Sequence, residues 1–392
     1  DVIADLNATI GINRLSAEVT AKLDQNGSGA SGIVAGSLIS VPYGQSAPTG
    51  YSLYQQGTPK ELVWEEKAPV SVARWSSDGV EILNEKIYFV GGKGGNDDSV
   101  QNIAERFNPV TNTWENMSPM TTAREGESCA VLGGKIFAIG GMGLTSVEIY
   151  NSSTNTWSSG ASLPGVTERA SAIAVNGLIY LVGGRDGSGQ TINKVHCLDP
   201  MANQWSQKTN MPTARNGHQL VWFGNRIWAL GGQDGINPLN TVESYDPNTD
   251  TWQTEESLTV ERHWAVAWLA NDAIYVGGGK SSLSDLNSIE SYDPLTELWS
   301  QAGIFPENKY VAGAVVLNEK AYVVAGITST SSTYIFSNKV YAADLNASVA
   351  GVYDLYRKDG NASAGTPLVQ AEVADGSVTA SKMADGAVTP SK

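Results

Sequence analysis

Short apolar runs, each closed by glycine, recur along the chain. IYFVGG ends at Gly92, IFAIGG at Gly141, IYLVGG at Gly184, IWALGG at Gly232 and IYVGGG at Gly279. A sixth, AYVVAG, ends at Gly326 and has lost one glycine. Successive ends lie 49, 43, 48, 47 and 47 residues apart. After each of the first five runs come a loop and a second short stretch ending in Phe107, Tyr150, Leu198, Tyr245 or Tyr292. Trp114, Trp157, Trp205, Trp252 and Trp299 each follow seven residues later. Between them lie NPVTNT, NSSTNT, DPMANQ, DPNTDT and DPLTEL. Asn or Asp followed by Pro is turn chemistry, because Pro presets φ and the Asx side chain caps its own backbone. Each unit therefore reads as four short strands, a to d. Strand a precedes a tight turn such as NGL or GNR, b ends at the glycines, c carries the aromatic residue and d the Trp.

Composition agrees with an all-β chain. Of 392 residues, 41% are apolar, only 17% are charged and 42 are glycine. That allows a sizeable core in many short strands separated by turns. The net charge of −15 argues against nucleic acid, which needs a basic surface, and against docking on an anionic membrane. No apolar run of about 18 residues is present, so no membrane insertion is expected. No signal peptide is visible. A chain that begins at Asp1 is expected to be a processed form or a fragment. Cys129 and Cys197 occupy unrelated repeat positions and read as two buried hydrophobes, although a disulfide stays possible.

The glycine pair, the spaced Tyr and Trp and the period near 50 resemble the kelch repeat, over about residues 61 to 346. The resemblance implies an all-β, six-bladed propeller with four antiparallel strands per blade around a central channel. The repeat marks themselves are structural: glycine permits positive φ and close approach, and the aromatics fill the wedge between sheets.

In such a ring the b–c and d–a loops share one face, face one, while the a–b and c–d turns share the other. Face one carries the variable loops, and recognition usually lives on such loops. Its d–a loops place a cation near the start of strand a: Arg74, Arg124, Arg169, Arg215, Arg262 and Lys309. With Trp75, His218, Trp264 and Tyr310 nearby, this ring is a candidate site for carboxylates or sugars through forked hydrogen bonds and stacking. The alternative is ion pairing within the fold, with Glu125, Glu168 and Glu261 as adjacent partners. In the eukaryotic adaptor proteins that resemble this domain, arginines in similar places grip acidic peptides. Asp97, Asp98, Asp186 and Asp234 lie in face-one loops and offer a weak case for Ca2+. No loop has a full EF-hand or RTX pattern, so solvated loop acids are the preferred reading and no cofactor is expected.

An enzyme is the less favoured class, because no motif defines a reaction. Resemblance admits two kinds: a copper radical oxidase, which wants clustered His beyond His196, His218 and His263, and a sugar-acid epimerase, which would use Glu168 or Glu261 as base.

The flanks carry their own patterns. GSLISVPYGQSAPTGYSLYQQG, residues 36 to 57, resembles the opening of a phage tail-collar domain through Gly36, Ala47, Pro48, Gly50, Tyr51, Leu53 and Gly57. VADGSVTASK and MADGAVTPSK are consecutive ten-residue repeats at the end of the chain, and DVIADLN and EVTAKLD share a pattern near its start. These resemble phage tail-fibre and bacterial surface-fibre shafts. The expected segments are 1–35 fibre-like repeats, 36–60 collar-like, 61–346 propeller, 347–370 exit strand and linker, and 371–392 C-terminal decads. The resemblance implies a homo-oligomer, as trimer or end-to-end filament, that is extracellular, at a cell surface or on a virion appendage. The propeller is then a head for a cell-surface glycan or protein; the alternatives are a purely structural filament subunit and a secreted carbohydrate-active enzyme.

One half-repeat remains. ELVWEEKAPVSVAR, from Glu61, aligns without a gap with TNTWENMSPMTTAR, from Thr111. The sixth repeat lacks a strand d, so Trp64 is expected to supply it and close the ring. GVYDLYRK, from Gly351, is the other candidate for that strand.

Overall fold

The computed structural model describes residues 38–42, 51–55, 62–76, 78–294, 296–330, 333–345 and 353–358. The chain divides into two compact units, Leu62–Asp344 and the two flanks Asp1–Glu61 with Leu345–Lys392.

The first unit contains six four-stranded antiparallel sheets, each in the order a-b-c-d. The a strands (Val80–Leu83, Ser128–Leu132, Ser171–Val175, Gln219–Phe223, Val266–Ala270 and Gly313–Leu317) touch one another in succession, the last against the first, so the sheets form a closed ring. The a–b hairpins turn through paired positive-φ residues such as Asn176 (φ 52) and Gly177 (φ 80), the primed-turn geometry that matches strand twist. The b strands are nearly continuous apolar runs, as in Lys135–Ile139 and Leu178–Val182, and are buried from both sides. The glycines after them are needed because neighbouring chain passes very close: a Cβ on Gly92 (φ +99) would lie 2.3 Å from the Trp75 carbonyl oxygen.

Trp64–Lys67 is the outer strand of the sixth sheet, paired antiparallel with Val340–Asp344 from Trp64↔Ala343 to Lys67↔Val340. Its indole follows the rule of the other five d strands. Trp114, Trp157, Trp205, Trp252 and Trp299 donate Nε1–H to the carbonyls of Ala68, Ser118, Ala161, Thr209 and Glu256 beyond the preceding strand d. Trp64 donates to Ile304 at 3.0 Å. Six indole bonds thus stitch each sheet to its predecessor, and the chain enters and leaves the ring side by side.

In the second unit, Tyr353–Lys358 pairs with Leu38–Pro42 on one side and Tyr51–Gln55 on the other, as the central strand of a three-stranded antiparallel sheet. GVYDLYRK therefore does not complete the sixth blade; it joins part of the collar-like segment. The segments 1–35 and 371–392, with their expected fibre repeats, lie outside the described residues. Cys129 and Cys197 are buried free thiols.

Candidate functional site

The d–a and b–c loops of each blade meet on face one through short bridges, such as Glu168↔Arg185 and His263↔Lys280. The expected cation ring divides there into two sets. Arg74, Arg124, Arg215 and Arg262 are fully buried, at 0% exposure. Arg124 donates to the carbonyls of Gly140 (2.7 Å) and Ser146 (2.8 Å) and to Glu148 (3.0 Å). Arg215 does the same with Gly231, Thr241 and Glu243, and Arg262 with Gly278, Ser288 and Glu290. Arg74 bonds the Gly91 carbonyl and Glu105. Lys309, also buried, reaches the Ala325 carbonyl at 3.0 Å and Glu307 at 3.2 Å. A cation wholly buried and bonded to carbonyls and a carboxylate of its own blade presents nothing to a ligand, so these five cations are structural. The four arginines pair with the strand-c glutamates Glu105, Glu148, Glu243 and Glu290, and Lys309 with Glu307 of its own loop, not with Glu125, Glu168 or Glu261.

Arg169 belongs elsewhere. The Gly92, Gly184, Gly232 and Gly279 amides donate to the carbonyls of Arg124, Arg215, Arg262 and Lys309; the Gly141 amide donates to Thr167. Thr167 thus holds the buried-cation position of blade 3, and Arg169 sits two residues further, at the innermost turn. That turn forms a chain of backbone bonds around the axis: Arg169 to Gly126 (2.7 Å), Gly217 to Arg169 (2.9 Å), Trp264 to Gly217 (2.7 Å) and Val311 to Trp264 (2.9 Å). All five residues have positive φ, between 50° and 65°. Gly126 and Gly217 accept this readily, whereas Arg169, Trp264 and Val311 hold it at a cost of about 1–3 kcal/mol each.

The side chains at these positions lean over the glycines. A Cβ on Gly217 would meet Trp264 Cδ1 at 2.4 Å, and one on Gly126 would meet Arg169 Cγ at 3.2 Å. The Arg169 guanidinium lies 5.7 Å from the Trp264 ring centroid. The wall continues around the mouth. Trp264 stacks on Tyr310 at 6.2 Å, His263 packs on Trp264 at 4.4 Å, and Lys280 Nζ lies 4.7 Å from the Tyr310 ring and 4.9 Å from that of Tyr334. Arg169, Trp264 and Lys280 are partly exposed, and Tyr334 is 67% exposed. Trp75, Tyr310 and His218 are buried, so of the expected aromatic set only Trp264 offers a face. Lys280 and Tyr334 were missed by sequence reasoning, because no repeat pattern marks the b–c loops that carry them.

Asp186 and Asp234 are turn formers: Asp186 Oδ1 accepts from Ser188 N and Gln190 N, and Asp234 Oδ1 from Ile236 N and Asn237 N. Among the described residues no three His, Cys, Asp or Glu side chains gather as a metal-binding group. The three histidines sit on different blades. Burial pulls the His218 imidazole down to about 3 and His263 to about 4.

Beneath the mouth, inner-strand acids are buried. Glu127, 0% exposed, accepts from Ser76 Oγ at 2.7 Å, and its Oε2 has no hydrogen-bond partner. Burial raises its carboxyl from 4.5 to about 7, against the Ser76 bond and the charges of Arg124 and Arg74. A group whose pKa is raised by folding stabilises the fold while protonated, and that stability is lost as pH climbs through the folded value. Unfolding free energy is therefore expected to fall by about 3 kcal/mol between pH 4.5 and pH 8 on account of Glu127. Glu127→Gln should flatten that part of a urea-denaturation series; an unchanged pH slope would refute the assignment.

Comparison with known proteins follows the same lines. The family model described as the KLHDC2/KLHL20/DRC7 Kelch-repeats domain matches residues 79–259, and that of the Kelch motif matches residues 270–306. Kelch-like protein 26 of Danio rerio is 30% identical over 161 residues, 39% of this chain and 27% of that protein. Beta-scruin of Limulus polyphemus is 27% identical over 169 residues, 43% of this chain and 14% of that protein. The chain thus matches well under half the length of these relatives. The structure of YjhT superposes with a TM-score of 0.61 at 16% identity, covering 71% of this chain and 99% of that one, which bears on fold alone. Ring closure, repeat marks and these matches agree: residues 62–344 are a kelch-repeat β-propeller.

Proposed function

We propose that the propeller is a protein-recognition head whose site is the face-one mouth formed by Arg169, Trp264, Lys280 and Tyr334. The observation that carries this is backbone strain at Arg169 and Trp264. Two of the innermost turns hold large side chains in a conformation that glycine takes elsewhere in the ring, and backbone outliers of this kind cluster where ligands bind. Cation and indole together fit a peptide segment bearing an aromatic or carboxylate side chain, since partly exposed Arg and Trp are the residue types that dominate protein interfaces.

Peptides selected from a display library on the intact propeller test the reading. Arg169→Ala combined with Trp264→Gly is expected to weaken them roughly 30-fold. Gly accepts the positive φ, so the fold should persist. Equal affinity for the variant would defeat the proposal.

The finer reading is that this head stands on a fibre outside the cell or on a virion appendage. It is supported by the terminal ten-residue repeats, whose short units need stacked neighbours or partner chains, and by the pairing of Trp64 with Ala343, which sets the first and last strands of the propeller side by side. Light scattering of the intact chain is expected to give a trimer or larger species, and a monomer would overturn the fibre but not the recognition site.

A further inference from the structure

Five of the six blades insert a cation from their own d–a loop against the carbonyl that follows strand b: Gly91, Gly140, Gly231, Gly278 or Ala325. In blades 2, 4 and 5 the same guanidinium nitrogen also bonds a carbonyl at the entry to strand c, and a strand-c glutamate supplies the counter-charge. Blade 3 keeps the acceptors and changes the donor. The equivalent carbonyls are those of Gly183 and Lys194, themselves linked by Gly183 N–H to Lys194 O at 2.9 Å. Thr167 stands where the arginine would be, and His196 where the glutamate would be. No donor among the described residues bonds the Gly183 carbonyl, although Gly183 is buried.

A pocket of about 250 Å3 opens beside these groups, lined by Gly165, Thr167, Asp186, Lys194 and His196 among others. His196 is 9% exposed and its Nδ1 is buried without a hydrogen-bond partner. Two neighbouring buried polar atoms without partners, the Gly183 carbonyl oxygen and His196 Nδ1, are rare in a folded protein. Asp186 brings a carboxylate to the wall. Its Oδ1 accepts from Ser188 N (2.9 Å), Ser188 Oγ (2.6 Å) and Gln190 N (3.1 Å), and none of these bonds uses Oδ2. The Lys194 side chain is exposed, and its ammonium acts on both His196 and Asp186 from the rim, so an arriving guanidinium competes with it for Asp186.

We propose that blade 3 is a receptor for a guanidinium group brought by another chain, an arginine side chain of a bound protein that completes the blade as Arg124, Arg215 and Arg262 complete theirs. The Gly183 and Lys194 carbonyls and His196 Nδ1 accept its N–H groups, and Asp186 supplies the counter-charge. The site is separate from the mouth formed by Arg169 and Trp264, so either can fail without the other.

The test is an NMR titration of the intact chain carrying labelled histidine, with methylguanidinium chloride as probe. The His196 imidazole resonance should shift saturably, with a midpoint on the order of 1 mM for so small a ligand; those of His218 and His263 should stay put. Methylammonium and acetate at the same concentrations should leave His196 unmoved. Thr167→Arg should abolish the response by filling the site from within. Asp186→Asn, a change on a surface loop, should weaken binding at least threefold and serves if Thr167→Arg fails to fold. Absence of saturation, saturation by acetate or methylammonium instead, or a wild-type titration by Asp186→Asn would each overturn the proposal.

Discussion

Arg215→Ala is expected to destabilise the propeller by about 3–5 kcal/mol, the range for breaking a buried ion pair from one side. The guanidinium is wholly enclosed, holds Glu243 at 2.9 Å and bonds the carbonyls of Gly231 and Thr241 at 2.8 Å each. Burial lowers the proton affinity of Arg215, and Glu243 works against that shift. Removing the cation leaves Glu243 with only Thr213 to satisfy it, through the amide and the hydroxyl, and leaves the Gly231 and Thr241 carbonyls without the guanidinium. Replacing both partners, Arg215→Met with Glu243→Leu, should cost far less, because no lone charge stays behind. Urea denaturation of the two variants separates the readings. If Arg215→Ala melts like wild type yet loses ligand, the ring cations are a binding device after all.

Trp64→Ala is expected to cost about 3 kcal/mol, in line with truncation of a large aromatic side chain. The indole packs edge-on against Phe305, 5.1 Å between ring centroids, and Trp268, 6.5 Å, besides its bond to Ile304. The distinguishing feature is location. Trp157 makes an equivalent bond to Ser118, but its strand is continuous in sequence with the rest of its blade. Trp64 sits on the one strand held to its blade without a local covalent link, so its loss should release that strand before the ring unfolds. Amide exchange along Val340–Asp344, the strand it pairs with, should accelerate in Trp64→Ala and stay slow in Trp157→Ala. Equal protection in both variants would show that the closure is no weaker than any other sheet.

Much of this was open to reading before any fold was known. The glycine pairs and Trp spacing count the sheets, and the gap-free half-repeat before the first whole unit identifies Trp64 as the sixth outer strand. The ion pairs were also written there. Glu105, Glu148 and Glu243 occupy the second position of a strand c and Glu290 the third position of its own, in blades that carry Arg74, Arg124, Arg215 and Arg262. Where strand c has His196 or Tyr341 instead, the cation position holds Thr167 or Lys309. Reading the arginines as a ligand ring treated them one loop at a time; comparing strand c across repeats would have shown them paired.

The sequence by itself determined the repeat, the closure and the four strands of each blade, because these depend on local turn chemistry and on apolar spacing that recurs within one unit. It did not determine which cations face solvent. Arg169 and Arg215 lie in similar loops, and two residues of register decide between the channel mouth and the blade interior. That choice rests on backbone bonds from the preceding sheet, and on whether a glutamate waits on a strand some 30 residues away. Only the closed ring brings Arg169, Trp264, Lys280 and Tyr334 from three blades to one rim, and only the comparison of assembled blades shows that the third has acceptors for a donor it does not supply.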